Sequence, residues 1–258
     1  IVFKHYIKEH MEKINTESME MLQKMVEAGV HIGHKKEKGH PKMKPYLFTT
    51  RQGIQIINVE KTLEKLEVAA EFLKNIAAKN GVIVFVSTRV PGKLLIKNAA
   101  TEAGMPYVVE RWLGGTLTNF ANLSKRLQYF IEQETKQGKG ELAKYSKKEQ
   151  LLMAREIESL EKKMGGIKAL KKKPDALVLI DIDEHISAVR EAKKMGVPVV
   201  AITDTNTNPT LVAYPIPAND KSTKSLAVIL DRLVAAVKEG KAAVRVTAEQ
   251  PAEKKVQS

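Results

Sequence analysis

The chain reads as an α/β protein: a parallel sheet with helices on both faces, into which an antiparallel helical hairpin is inserted. Three features of the sequence predict this. Four short apolar runs rich in β-branched residues, GVIVFVST (81–88), MPYVVE (105–110), DALVLIDI (175–182) and VPVVAITD (197–204), are continuous rather than alternating. Strands that are apolar on both faces belong to a sheet covered on both sides, which a parallel sheet between helices provides. Segments of helical periodicity separate the runs, and between about 112 and 170 this βαβ rhythm gives way to two narrow helical seams.

Taken in order, residues 1–16 read as an N-terminal extension able to form a loose amphipathic helix. YLFTT (46–50) and GIQIIN (53–58), joined around Arg51-Gln52-Gly53, predict a β-hairpin. Helices are expected over Glu60–Lys79, Val90–Ala103, Asp183–Met195 and Lys221–Lys238. Asn58 suits the first N-cap and Asn80-Gly81 its end; Asp183 suits the third N-cap, and Gly196 followed by Pro198 stops that helix. In the interruption, Phe120, Leu123, Leu127 and Phe130 form one seam and Met153, Ile157, Leu160 and Met164 another. Each seam needs the other. Ser146 and Glu149 form a capping box for the second helix, Gly165-Gly166 can end it, and the lysine-bearing TKQGKGELAKY links the two. The expected organisation is a sheet domain over 17–111 and 167–240, a hairpin over 112–166 and a disordered tail over 241–258.

Charge narrows the function. The 258 residues carry 43 Lys and Arg against 30 Asp and Glu, a net +13. His31–Arg51 holds six basic residues against one acidic, and Thr135–Lys173 twelve against five, so nearly all the excess lies in two places. A localised positive field attracts polyanions, above all nucleic acid, although a solvated basic surface is the plain alternative. No run reaches the roughly 18 apolar residues of a membrane span, and the N-terminus lacks a signal-peptide pattern. Zero cysteines exclude disulfides and thiolate chemistry, and a cytoplasmic location is expected.

Catalytic machinery is hard to find. No G-x-G-x-x-G follows a strand, STRVPGKLL (87–95) lacks the glycine and hydroxyl of a phosphate-binding loop, and there is no serine nucleophile elbow. Asp181, Asp183, His185 and Asp204 at neighbouring strand ends could hold a divalent ion, or serve as helix caps and turn formers. A nucleotide- or phosphosugar-binding enzyme using Ser87, Asp183 and Asp204 is the rival reading, and an adaptor whose hairpin seam binds a partner helix is another. In HIGHKKEKGH the three histidines lack an obvious fourth zinc ligand. Their neighbours Lys35, Lys36, Lys38, Lys42 and Lys44 suit phosphates, with Gly33 and Gly39 expected to let backbone N–H groups approach an anion. Neither a recognition helix nor an aromatic stacking platform is evident, which leaves lysine-dominated contact with the backbone of a folded RNA.

Four stretches carry a resemblance: AGVHIGHKKEKGHPKMKPYLFTTRQGIQIINVEKT (28–62), ERWLGGTLTN (110–119), PDALVLIDIDEHISAVREAKKMGVPVVAITDTNTNP (174–209) and IPANDKS (216–222). In this order they resemble the bacterial-type small-subunit ribosomal protein two family over roughly residues 17–240. The resemblance implies a flavodoxin-like five-stranded sheet with a protruding hairpin and no catalytic role. It also implies contact with 16S-type rRNA, with other small-subunit proteins and with ribosomal protein one, and no cofactor. By position His31, His34, Lys42, Lys44 and Arg51 fall in the family's first motif, and Arg111, Trp112, Gly114 and Gly115 in its RWLGG motif. Lys35, Lys36, Lys136, Lys139 and Lys144 join the basic residues as candidate RNA contacts. Gly39-His40 stand where the family usually has Trp-Asn, and the first 16 residues exceed its usual start. RWLGG lies where the chain enters the hairpin: Trp112 and Leu113 are expected to anchor that junction, Gly114 and Gly115 to make the turn, and Thr118 or Asn119 to cap the helix.

Overall fold

The apolar runs become the core strands of a single parallel sheet. The computed structural model of the chain describes residues 16–249, so the expected extension helix over 1–16 lies outside the described residues except for Thr16, as do tail residues 250–258. The sheet consists of β4 (Ile83–Val86), β5 (Tyr107–Val108), β6 (Ala176–Ile180), β7 (Val199–Thr203) and β8 (Tyr214–Pro217), in the spatial order β5-β4-β6-β7-β8. That is the 2-1-3-4-5 order of the flavodoxin-like doubly wound fold. The fifth strand has no apolar run behind it. Its sequence YPIP carries two prolines, which an edge strand tolerates because one side needs no ladder donors.

Alternate strand residues feed two separate cores. Ile83 and Phe85, Val178 and Ile180, Val200 and Ile202 face α1 (Thr16–Glu27), α2 (Val59–Ala78), α3 (Gly92–Ala103) and α7 (Thr223–Glu249). Val84 and Val86, Leu177 and Leu179, Val199 and Ala201 face α6 (Ile186–Met195) and the root of the hairpin. Every residue of β4, β6 and β7 is buried, which is why these segments read as unbroken apolar runs.

Capping follows the sequence in most places. The Asn58 side chain accepts from Glu60 N and Lys61 N, and Gly196 ends α6 in the left-handed conformation. Helix α3 starts at Gly92 rather than Val90, and α7 at Thr223 rather than Lys221. Asp183 does not cap α6: the Asp181 side chain accepts from Asp183 N and Glu184 N instead, from a backbone with φ of 65°. Helix α7 continues past Lys238 to Glu249, so residues 241–249 are helical and not part of a disordered tail. Two contacts carry the helix onward. A Cβ on Gly240 would stand 2.3 Å from Lys74 O, so only glycine lets α7 lie this close to α2. At the next residue, Lys241 Nζ donates to Ala103 O (2.8 Å) and Gly104 O (2.9 Å), holding the carbonyl end of α3.

The hairpin consists of α4 (Phe120–Gly138) and α5 (Lys147–Met164), and the Ser146–Glu149 capping box is present. Leu123, Leu127, Phe130, Ile157, Leu160 and Met164 are buried, while Phe120 and Met153 pack at the edge of the same cluster. Because that cluster is continuous with the sheet face, the hairpin is rooted in the core of the α/β body.

Candidate nucleic-acid interface

The first basic region builds a small antiparallel sheet of its own. β2 (Leu47–Arg51) and β3 (Ile54–Ile57) form the expected hairpin, turning at Gln52 and Gly53, both with positive φ. A further strand, β1 (Ile32–Lys35), pairs with β3 to give the order β1-β3-β2. The backbone fixes this sheet to the carboxyl end of the parallel one. His34 N donates to Thr205 Oγ1 (2.9 Å) and His40 N to Thr205 O (2.8 Å). The glycines here serve packing, which corrects the expectation of anion approach. A Cβ on Gly33 would stand 2.4 Å from Thr205 Cγ2 and 2.9 Å from Gln55 O, and one on Gly39 2.4 Å from Gln55 Oε1.

That fit sorts the candidates into two groups. His31 is half-buried, and burial lowers its pKa; His34 Nδ1 lies 3.1 Å from Asp204 Oδ1, an ion-pair approach. Both histidines belong to the junction. Lys35, Lys36, Lys38, Lys42, Lys44 and Arg51 are exposed, with Lys42 Nζ 3.2 Å from Thr210 Oγ1. Exposed Ile32, Phe48 and Ile54 on the three strands lie among them.

At the strand ends the acidic groups are arranged differently from the sequence expectation. Asp183 is exposed, and His185 is buried with Nε2 accepting from Thr88 N (3.3 Å), so neither converges on Asp204. Among the described residues the groups that do converge are His34, Asp204 and Asp220, with ligand atoms all within 4.8 Å of one another, a set able to hold a cation. Burial, then the Asp204 and Asp181 carboxylates, push Asp220 up to about 7. Beside it Arg89 Nη1 lies 3.1 Å from Asp181 Oδ2, at a cleft of about 120 Å³ that also includes Ser87, Gly92 and Lys221. Ligands of open α/β sheets bind at this end, and here the small sheet is seated on the segment that follows β7.

The second basic region stands on one carboxylate. Trp112 is buried in the hairpin-side core, and Leu113 packs beside it. Glu191 of α6 accepts from Trp112 Nε1 (3.2 Å), Gly115 N (2.8 Å), Leu117 N (3.0 Å), Thr118 N (3.2 Å) and Thr118 Oγ1 (3.2 Å). Burial pushes the Glu191 carboxyl up, but these donors outweigh it and hold the group below its ordinary range. Gly115, with φ of 88°, makes the turn, while Gly114 is exposed. Asn119 occupies the N-cap of α4 without a side-chain capping bond, and Thr118 is engaged by Glu191, so the expected side-chain cap is replaced by this one acceptor.

The remaining candidates are exposed. Lys136 lies in the last turn of α4, Lys139 and Lys144 in the connection, and Arg111 beside the root. Among the described residues no extensive packing joins the hairpin helices to the small sheet, so the two basic regions are separate surfaces. Glu191 and Thr205 were not among the residues singled out from sequence; both act on backbone far away in the chain, and no local pattern marks them.

Residues 25–240 match the family model described as ribosomal protein S2. Among its relatives is the small ribosomal subunit protein uS2 of Bifidobacterium animalis subsp. lactis (strain AD011), 45% identical over 224 residues, which are 85% of this chain and 73% of the relative. With the sheet order and the RWLGG junction described above, these matches establish that the chain belongs to the ribosomal protein S2 family, whose members are structural components of the ribosome and not enzymes.

Proposed function

We propose that the chain is a structural constituent of the small ribosomal subunit that holds 16S-type rRNA through phosphate and shape contacts. The observation that carries this reading is the segregation of charge. Cations that are spread through two segments of sequence become exposed on two protruding surfaces, while the histidines and glycines between them turn inward to fix the backbone. In this reading Lys35, Lys36, Lys42, Lys44 and Arg51 neutralise phosphates on one surface, positioned by His31 and His34. Lys136, Lys139, Lys144 and Arg111 do so on the other, with Trp112, Gly114 and Gly115 shaping the junction. Exposed Ile131, Leu151 and Leu152 on the hairpin support contact with neighbouring small-subunit proteins, among which ribosomal protein one is included. Its location would then be cytoplasmic, in the small subunit; among the described residues no helix is long and apolar enough to cross a membrane.

Salt dependence tests the proposal. If about six cations each neutralise a phosphate, log affinity for small-subunit rRNA falls against log salt with a slope of magnitude about 4 to 5. A slope near zero removes phosphate contact, and failure of the tagged protein to sediment with small subunits at either low or high magnesium removes the ribosomal role.

A further inference from the structure

Where the second surface meets the body, at Arg111, the root of the hairpin carries a further concentration of charge. An open groove of about 390 Å³ runs between the Glu110-Arg111 segment and one face of α5. The α5 wall is made by Arg155, Glu158, Ser159, Lys162 and Lys163, whose three- and four-residue spacing puts them on one helical face over two turns. The acidic groups are already matched. Lys93 Nζ lies 2.5 Å from Glu110 Oε1, and Lys162 Nζ 2.7 Å from Glu158 Oε1. Arg111, Arg155 and Lys163 have no carboxylate partner among the described residues, which leaves the groove with three uncompensated cations.

We infer that this groove seats a stretch of RNA backbone, with Arg111 and Arg155 gripping phosphates from opposite walls and Lys163 and the Ser159 hydroxyl continuing the track along α5. The inference rests on the RNA-binding reading above and extends the second surface to the root of the hairpin. Two features favour RNA over an acidic protein segment. The seven lining residues include no large apolar side chain, so the groove lacks the apolar centre around which protein interfaces are built. Cations repeated along about 12 Å of helix match a regularly charged strand, and guanidinium forks on both sides suit phosphate oxygens.

The test compares two variants of the full chain for binding to purified small-subunit rRNA across a potassium chloride series. One combines Arg111→Gln, Arg155→Gln and Lys163→Gln; the other combines Lys35→Gln, Lys36→Gln and Lys44→Gln. The groove variant is expected to lose at least about tenfold in affinity at 100 mM salt and to flatten the log–log slope by about 2 to 3, one step per lost phosphate contact. If it binds within twofold of the parent with the same slope while the lysine variant weakens, the groove is no phosphate seat although the wider reading survives. If the parent itself shows no salt dependence, the wider reading falls and takes the groove with it. Unchanged RNA binding combined with loss from assembled subunits would assign the groove to a protein neighbour and also overturn the inference. Should the triple variant fail to fold, phenylglyoxal modification of the parent decides: Arg111 and Arg155 are expected to be protected in intact small subunits and reactive in the free protein, and equal reactivity refutes the assignment.

Discussion

The two basic regions carry similar cargo on very different mountings. The small sheet is fitted to the body by backbone shape: Gly33 lies against Thr205 and Gln55 with no room for a side chain, and two main-chain N–H groups bond to Thr205. The hairpin meets the body through a polar hub, a single Glu191 carboxylate holding the turn that leads into α4, above an apolar root. Steric fit is sensitive to volume and indifferent to pH. A carboxylate hub is sensitive to charge and to protonation. One surface should therefore yield to added methyl groups, the other to lost acceptors, and neither to removal of the lysines it displays.

The largest expected effect is at the hub. Glu191→Ala leaves the Trp112 indole and three backbone N–H groups without their acceptor, and orphaned donors in a partly buried site cost about 1–3 kcal/mol each before water relieves some of them. A net loss of about 3 kcal/mol, or roughly 6–12 °C in Tm, is expected by calorimetry. Trp112 is the only tryptophan, so its fluorescence should shift to the red in the folded variant. Because the Glu191 carboxyl is held below its ordinary range, its contribution is present above that range and is lost as pH falls through the depressed folded value. An acid-side difference between parent and Glu191→Gln that does not shrink as pH falls would contradict the hub. Next in size is Gly33→Ala, where the new methyl would meet Thr205 Cγ2 at 2.4 Å and Gln55 O at 2.9 Å. Overpacking of about 1–3 kcal/mol is expected, with no pH dependence, and hydrogen exchange should report it first in β1 and β3.

Asp220 offers the opposite sign. Its folded pKa of about 7 stands above the ordinary 3.8, so the folded protein holds a proton that the unfolded chain has given up. Stability is therefore unaffected below about pH 4 and declines as pH rises towards 7. Asp220→Asn should melt a few degrees higher than the parent at pH 8 and at the same temperature at pH 4. A variant less stable at pH 8 would mean that the charged carboxylate is compensated there.

What the sequence reveals depends on whether the cause is local. β4, β6 and β7 are legible because burial on both faces leaves continuous apolar runs, and the Ser146–Glu149 box because both partners lie within one turn. β8 is not, since YPIP is short and proline-bearing and owes its place to pairing with β7. Gly33 and Gly39 are visible as demands for close approach, but lysines alongside suggest an anion where the neighbour is in fact Thr205 or Gln55. Asp181 rather than Asp183 organises its turn, because from a positive-φ backbone its carboxylate accepts from the N–H groups two and three residues on. Glu191 is silent for a plainer reason: its acceptor role spans 76 residues to Gly115, and in its own helix it looks like any surface glutamate. The basic segments were readable as charge; which side chains face outward was decided by those distant contacts.

The smallest structural effect comes from the displayed cations, and it separates display from mounting most sharply. Lys136→Gln, Lys139→Gln and Lys144→Gln together remove three exposed charges at the far end of the hairpin, where among the described residues no carboxylate pairs with them. Exposed substitutions of this kind change stability by about 0.5 kcal/mol or less, so Tm should move by no more than about 2 °C. Affinity for small-subunit rRNA should nonetheless fall, with the log–log salt slope reduced by about 2 to 3. Glu191→Ala keeps those lysines but loosens the base that aims them, so it should weaken binding with little change in slope. If the lysine variant kept its slope while Glu191→Ala lost it, the cations that matter would lie at the root of the hairpin and not at its tip.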